Sequence, residues 1–174
     1  MTWKLVVIGA GMASGRMLEH LFEAGFDGHV TLFNAEPRGN YNRLMLSPVL
    51  SGEKTYDQIV THDDAWYAAR GVECRFGEAV VRIDRSRKVV VSQRGETPYD
   101  MLVIATGSAP FMIPVAGRDL PGVVTYRDLD DTNAMIAASG PGAKAVVIGG
   151  GLLGLEAAAG MAARGAEVTV IHLM

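Results

Sequence analysis

The sequence predicts an α/β fold with parallel sheets, and two of its features support that class. Continuous Val and Ile runs stand near both ends of the 174 residues, as is typical of strands buried on both faces of a parallel sheet. Each run leads into a glycine turn, a helix free of proline and a second apolar strand. Strand, helix and strand within about 30 residues form a βαβ unit. The sequence therefore predicts two such units.

The two units are copies of one pattern. The first reads "KLVVIGAGMASGRMLEHLFEAGFDGHVTLF" over residues 4–33, and the second reads "KAVVIGGGLLGLEAAAGMAARGAEVTVI" over residues 144–171. Four positions match at a constant offset: Lys4, Gly9, Gly11 and Gly25 in the first copy, and Lys144, Gly149, Gly151 and Gly165 in the second.

The glycine spacing gives each turn a physical role. The second copy carries a full G-x-G-x-x-G at Gly149, Gly151 and Gly154. In that motif the first glycine makes the tight turn, the second lets backbone approach a pyrophosphate, and the third packs helix close to strand. The first copy has Gly9, Gly11 and then Ser14, and serine is small enough for the third role. Two such turns between a strand and a helix predict two Rossmann-like dinucleotide sites.

The middle of the chain predicts a short helix ended by Gly71 and then several strands. "AVVRI", "KVVVSQ" and "PYDMLVIA" are separated by polar turns that contain Ser86 and Gly95, which indicates an added β-meander. Four aspartates precede or open helices, where carboxylates cap free N–H groups: Asp63, Asp64, Asp130 and Asp131. The single cysteine, Cys74, stands in the alternating segment "GVECRFG" and is expected to be a half-buried structural thiol.

Composition excludes several classes of function. A hydrophobic content of 49% with 20% charged residues describes a globular chain. A net charge of −3 without a basic block predicts binding to neither nucleic acid nor membrane. One cysteine permits no intrachain disulfide, and scattered histidines give no metal-ligand spacing. The start at "KLVVIGAG" has no leader features, so we expect a cytoplasmic protein.

Three segments carry a family resemblance. "GAGMAS", "YDMLVIATGSAP" and "VVIGGGLLGLEAA" resemble the two-dinucleotide-binding flavoprotein oxidoreductases. In that family the first glycine turn binds FAD, the "ATG" strand closes the same site, and the second glycine turn binds NAD(P)H. Within the family, "YNRLMLSPVLSGE" (Tyr41 to Glu53) is most similar to the flavin module of NAD(P)H-dependent nitrite reductase large subunits.

The resemblance implies a domain organisation. Residues 1–113 would form part of a Rossmann-like, three-layer FAD-binding domain with the β-meander, and residues 114–174 the truncated start of a Rossmann-like NAD(P)H-binding domain. Family members are longer, so we expect a fragment whose own flavin site is incomplete and inactive. A full-length nitrite reductase would add an iron–sulfur cluster and sirohaem, which this chain lacks ligands to hold.

The resemblance also implies site residues, none of them a metal ligand or a catalytic acid or base. For FAD they are Gly9, Gly11, Met12, Ala13, Ser14, Arg43, Ser47, Val80, Ala105, Thr106 and Gly107. For NAD(P)H they are Gly149, Gly151, Leu152, Leu153, Gly154 and Glu156. Arg43 is equally well interpreted as a surface charge, and "YNRLMLSPVL" as an amphipathic helix with a Ser-Pro stop.

The residues after each second strand are the candidates for binding the ribose hydroxyls of the nucleotide. Glu36 is the only carboxylate available after "VTLF", and it is our candidate ribose ligand in the first copy. His172 follows "VTVI", where neither an acid nor an arginine stands. The choice between NADH and NADPH therefore stays open.

Three functions compete at this point. The first is a flavoprotein module that passes hydride from NAD(P)H to FAD for nitrite reduction and nitrate assimilation, with a metal centre or carrier protein as the next acceptor. The second is a ferredoxin or rubredoxin reductase, which also lacks the redox-active cysteine pair of the disulfide-reductase branch. The third is a non-catalytic dinucleotide-binding or redox-sensing module.

Overall fold

The computed structural model describes residues 2–173 and divides them into two compact units. The first unit contains the residues up to Asn42 together with Val60–Gly107, and the second contains Arg43–Ile59 together with the residues from Ser108 onward. In chain order the elements are β1 (Lys4–Ile8), α1 (Met12–Glu23), β2 (His29–Asn34), a 3-10 turn (Arg43–Met45), α2 (Leu46–Ser51), α3 (Asp64–Ala68), β3 (Val72–Phe76), β4 (Val80–Asp84), β5 (Val89–Ser92), β6 (Gly95–Pro98), β7 (Met101–Ile104), α4 (Leu129–Ala138), β8 (Lys144–Ile148), α5 (Leu152–Ala163) and β9 (Glu167–Ile171).

The first unit has a parallel sheet between a helical layer and an antiparallel layer. The parallel strands lie in the order β3-β2-β1-β7. Because side chains alternate along a strand, Leu5 and Val7 of β1 pack in the cluster that contains Leu18 of α1, on one face of the sheet. Val6 and Ile8 join a separate cluster with Val90 of β5. The predicted three-layer, Rossmann-like fold is therefore confirmed for this unit.

The antiparallel layer is the predicted β-meander, but its third strand is β6 and not "PYDMLVIA", whose strand β7 pairs in parallel with β1 instead. Its order is β4-β5-β6, and β4 bulges between Val80 and Arg82. Gly95 opens β6 as its first residue, and Thr97 pairs with Val90 across the ladder. We missed β6 because glycine and proline at its ends read as turn residues, although an edge strand tolerates both.

The aspartates cap helices, with one change of position. Asp63 is the N-cap of α3, and its carboxylate accepts a hydrogen bond from the Trp66 N–H at 2.7 Å. Asp64 follows in the first turn, and Gly71, with φ +64°, lies beyond the end of the helix as predicted. The cap of α4 is Asp128, whose carboxylate accepts from the Asp131 N–H at 2.9 Å. Asp130 and Asp131 occupy its first turn instead, where a carboxylate complements the helix dipole.

The second unit contains the second βαβ copy. β8 and β9 pair in parallel, with Lys144 opposite Glu167 and Ile148 opposite Ile171. The strand prediction is confirmed, but burial on both faces is not. Val146 and Ile148 each expose 62% of their surface, whereas their counterparts in β1, Val6 and Ile8, are buried.

Helix α2 packs against α5 within the second unit. A Cβ added to Gly160 would lie 2.6 Å from Cγ of Leu50, which is wholly buried. The guanidinium of Arg164 donates hydrogen bonds to the carbonyls of Leu50 and, at 3.1 Å, Val49. These bonds satisfy carbonyls near the end of α2 that have no partner within the helix.

The Ser-Pro pair opens α2 and does not stop it. Pro48 is the third residue of the helix, where a backbone N–H would have no partner inside the helix in any case. The helix ends at Ser51, and Gly52, with φ +91°, follows as its left-handed cap. The interpretation of this segment as a helix with a Ser-Pro stop was therefore wrong about the stop.

No helix in the described part of the chain is long and apolar enough to cross a membrane.

Replacing Gly160 tests the packing of α2 on α5. Gly160→Ala should lower the free energy of unfolding by about 1–3 kcal/mol, because the new methyl group overlaps Leu50 in a filled interior. Urea denaturation monitored by circular dichroism measures the change. Ala159→Leu, one residue earlier on an exposed position, is the matched control and should leave stability nearly unchanged. A Gly160→Ala variant that is more stable than the parent would contradict this packing.

Candidate dinucleotide-binding turns

The first glycine turn depends on the absence of a side chain at Gly9. Its φ is +102°, and a Cβ there would lie 2.4 Å from the carbonyl oxygen of Ala105. Two backbone hydrogen bonds fix the approach, from Gly9 N–H to the Phe33 carbonyl at 2.7 Å and from Ala105 N–H to the Ile8 carbonyl at 2.8 Å. The structure thus brings the start of the predicted Ala105–Gly107 segment against the turn.

Gly11 leaves the start of α1 open. It is the N-cap of the helix in an extended conformation, and no side chain caps it. A Cβ added to Gly11 would meet nothing within 4 Å. Met12 and Ala13 follow as exposed residues of the first turn. Backbone N–H groups at such a helix start attract an anion, so the turn fits a phosphate group.

Ser14 fills the third position of the first motif. It is buried, and its hydroxyl donates a hydrogen bond to the Gly11 carbonyl at 2.9 Å. The closest packing on this side of α1 is at the next residue, Gly15. A Cβ on Gly15 would lie 2.9 Å from Nδ2 of Asn40 and 3.1 Å from Cε1 of His62. Asn40 is a buried residue at this turn that the sequence analysis did not single out.

In the loop after β2, Glu36 forms hydrogen bonds with two other residues of the same loop. The Glu36 carboxylate accepts from the Tyr41 hydroxyl at 2.9 Å and from the Arg38 guanidinium at 3.3 Å. Asn34, at the end of β2, accepts from the Ala10 N–H at 3.4 Å. Val80, the first residue of β4, packs against the apolar cluster that contains Val90. The ribose role of Glu36 and the FAD-binding role of Val80 stay predictions.

The second glycine turn fits all three roles of its motif. Gly149 has φ +119°, and its N–H donates to the Ile171 carbonyl at 2.8 Å, as Gly9 does in the first copy. Gly151 is the N-cap of α5, and a Cβ there would meet nothing within 4 Å. A Cβ on Gly154 would lie 1.8 Å from the Gly149 carbonyl oxygen. Leu152 and Leu153, the first residues of α5, are exposed.

His172 folds back onto this turn. Its Nδ1 accepts a hydrogen bond from the Gly150 N–H at 3.1 Å, and a Cβ on Gly150 would lie 2.8 Å from the ring.

Ser47 and Glu156 meet in the second unit. The Ser47 hydroxyl donates to the Glu156 carboxylate at 2.5 Å and lies 3.0 Å from the Tyr126 hydroxyl. Burial raises the pKa of Tyr126 above its ordinary value. Tyr126 was missed by the sequence analysis because no local motif marks it.

Arg43 donates to the Arg127 carbonyl at 3.2 Å, so it is more than a solvated surface charge.

Cys74 lies in β3 as a half-buried thiol, as predicted. Burial raises its pKa to about 11, so the thiol is protonated at neutral pH. Among residues 2–173, no three His, Cys, Asp or Glu side chains are grouped to hold a metal ion.

Comparisons with known proteins give one matching family model and several relatives. The model of one family, described as "Pyridine nucleotide-disulphide oxidoreductase", matches residues 3–174. Among curated relatives, a nitrite reductase [NAD(P)H] of Bacillus subtilis is 44% identical over 98% of this chain and 21% of its own length. The ferredoxin–NAD(+) reductase component of a biphenyl dioxygenase system of Paraburkholderia xenovorans is 34% identical over 97% of this chain and 41% of its own.

A solved structure has the same fold. The covalent putidaredoxin reductase–putidaredoxin complex matches with a TM-score of 0.86 and 29% identity, over 97% of this chain and 42% of that one. The chain therefore spans between about a fifth and two fifths of the proteins it resembles.

The pKa of Cys74 predicts slow alkylation. At pH 8 a pKa of about 11, against an ordinary value of 9.0, leaves the folded chain with a thiolate fraction about 100-fold below that of the denatured chain. Iodoacetamide labelling followed by mass spectrometry should show a rate ratio of at least this order. Cys74→Ser supplies the unlabelled blank. Equal rates in native and denatured chains would contradict the buried position of the thiol.

The same shift predicts how the thiol affects stability. Its folded pKa lies above the unfolded value, so the proton favours the folded state. This contribution is complete below pH 9 and is lost as pH rises through about 11. Between pH 9 and about pH 11, the free energy of unfolding of Cys74→Ser should therefore fall less than that of the parent, as measured by urea denaturation.

Proposed function

The chain belongs to the pyridine nucleotide-disulphide oxidoreductase family, and on that premise we propose that it is the nucleotide-binding part of a flavoprotein oxidoreductase. FAD would bind at the first glycine turn and NAD(P)H at the second. One observation carries the proposal: both turns place an uncapped helix start, with an open glycine at the N-cap, directly after a parallel strand.

The chemistry belongs to the cofactors, since bound FAD accepts the hydride that NAD(P)H donates. The task of the protein is to hold the two nucleotides. Gly11 and Gly151 leave room for a pyrophosphate to reach the backbone. The first N–H groups of each helix have no partner inside the helix and would donate to that pyrophosphate. Gly9 and Gly154 keep each turn tight, because a methyl group at either one would strike a carbonyl.

We propose roles for the remaining candidate residues in binding the two nucleotides. Glu36 would bind the FAD ribose, Val80 would contact the adenine, and the Ala105–Gly107 segment would close the flavin site. Arg43 and Ser47 would approach the flavin, and Glu156 the nicotinamide. The division into a flavin domain up to residue 113 and a nicotinamide domain from 114 is part of this proposal.

For the full-length protein we propose NAD(P)H-dependent nitrite reduction in nitrate assimilation, in the cytoplasm. The support is the 44% identity to a relative named nitrite reductase [NAD(P)H]. That relative is about five times as long as this chain, and an iron–sulfur cluster and sirohaem would belong to the additional length. The hydride equivalents would pass to the rest of the same polypeptide or to an acceptor protein. No nucleic acid takes part.

A ferredoxin or rubredoxin reductase is the second candidate. Its support is the likeness to a ferredoxin–NAD(+) reductase component and to a solved reductase bound to putidaredoxin. The two candidates share both nucleotide sites and differ in the electron acceptor. Anaerobic assays of the full-length protein with nitrite and with a ferredoxin, each driven by NADH, separate them.

An absorption experiment tests the shared proposal. The full-length protein, incubated with FAD and freed of excess, should show flavin bands that bleach when NADH is added without oxygen. Retained flavin that NADH does not bleach would favour a non-catalytic or redox-sensing module. A full-length protein that takes up neither FAD nor ADP would contradict the proposal.

Two matched glycine variants should separate the two sites. Gly11→Ala and Gly151→Ala each add a methyl group to open space, so both variants should fold like the parent. Gly11→Ala should weaken FAD binding at least about tenfold because the methyl group displaces the pyrophosphate from the backbone. Gly151→Ala should weaken NADH binding to the same degree. Titration calorimetry with each nucleotide measures both.

The opposite ligand serves as the control in each case. Gly11→Ala should keep its affinity for NADH, and Gly151→Ala its affinity for FAD. If one variant weakened both ligands equally while its melting temperature stayed unchanged, the assignment of one nucleotide to each turn would be wrong.

A further inference from the structure

We propose that Asn40 is a positioning residue for the first nucleotide site, acting through the carbonyl of Gly11. This inference rests on the proposed function, because it assumes that the first turn binds a pyrophosphate. The observation that carries it is a carbonyl with three donors. The Gly11 oxygen accepts from the Gly15 N–H at 3.0 Å, from the Ser14 hydroxyl at 2.9 Å and from the side-chain amide of Asn40.

Holding this carbonyl fixes the direction of an N–H group. The peptide bond is planar and trans, so the Gly11 carbonyl and the Met12 N–H lie in one plane and point in opposite directions. The Gly11 oxygen points into the helix, toward its three donors. The Met12 N–H therefore points out of the helix start, where an anion would bind. Hydrogen bonds to the carbonyl also polarise the peptide and strengthen the N–H as a donor.

Asn40 is itself held in place. It is wholly buried, its side-chain oxygen accepts from the Tyr67 hydroxyl, and its own N–H donates to that hydroxyl at 3.0 Å. Its carbonyl accepts from the Thr61 N–H at 3.0 Å. Such a fixed donor loses little conformational entropy when a ligand binds. Gly15 completes the arrangement, because any side chain there would strike the Asn40 amide.

The second turn lacks this support. Its corresponding carbonyl, on Gly151, accepts from the Leu155 N–H at 3.0 Å, and no side chain within residues 2–173 joins it. Glycine at position 154 removes the hydroxyl that Ser14 supplies in the first copy. We therefore expect the first turn to be set for its ligand before binding and the second to adjust on binding. This difference suits a resident nucleotide at the first turn and an exchanging nucleotide at the second.

The first test needs no ligand. In nitrogen-15 spectra of the folded chain, the Met12 amide should shift in Asn40→Ala and in Ser14→Ala, because each variant removes one donor from the carbonyl of the same peptide. The Leu152 amide, at the same place in the second turn, should stay unmoved in both. If the Met12 amide kept its position in both variants, the proposed link between Asn40 and the turn would be overturned.

The second test measures affinity. Asn40→Ala should weaken FAD binding about tenfold and Ser14→Ala about threefold, with NADH binding unchanged. Thr31→Val is the matched control, since Thr31 is equally buried and hydrogen-bonded but lies mid-strand, with its partners in His29 and Glu73. It should bind FAD like the parent.

The possible results distinguish a failure of the proposed function from a failure of the inference about Asn40. A full-length parent that binds neither FAD nor ADP overturns the proposed function and this inference with it. A parent that binds FAD, with Asn40→Ala and Ser14→Ala no weaker than Thr31→Val, overturns the inference alone. If Asn40→Ala does not fold, Tyr67→Phe replaces it, because the loss of its hydroxyl releases the Asn40 amide. That variant should then bind FAD several-fold more weakly.

Discussion

The whole architecture depends on one steric constraint, the close approach of backbone to backbone at the glycine turns. At Gly9 and Gly154 a single methyl group would overlap a carbonyl oxygen, so only glycine allows the turn at Gly9 and the close packing of helix α5 against the turn at Gly149. Each turn brings the positive end of a helix to the carboxyl end of a strand. The ability of the turns to bind phosphate depends on this close approach, because an extra ångström between strand and helix would move the helix N–H groups away from the phosphate.

The two copies of the βαβ unit show how context changes one local pattern. The backbone hydrogen bonds that close the turn are the same in both, from Gly9 to Phe33 and from Gly149 to Ile171. The first copy lies in a four-stranded sheet with apolar clusters on both faces. The second pairs only β8 with β9 among the described residues. Identical local geometry thus coexists with very different burial of the strands.

The sequence predicted what is local and periodic. Glycine spacing and Val/Ile runs predicted both turns and both copies, since each depends on residues close in the chain, whereas the three-layer arrangement came from the family resemblance. It did not predict Asn40 at the first turn or the packing of α2 on α5. Those contacts join residues far apart in sequence, and nothing in "GNYNR" distinguishes a buried asparagine from a solvated one. The Asp128 cap was missed because Asp130 and Asp131 satisfied the same local rule, and β6 was missed because its terminal glycine and proline are typical of turns.

The insertion of residues 43–59 into the second unit has a consequence for folding during synthesis. The chain leaves the first unit at Asn42, returns at Val60 and supplies α5 much later. At about 5–20 residues per second, α2 waits on the order of 5–20 s for the helix that covers Leu50. Until α4 supplies Met135, which packs in the same cluster as Leu50, this short apolar segment has no native helical partner within its own unit. A newly made chain therefore passes through a stage in which chaperone binding competes with native packing.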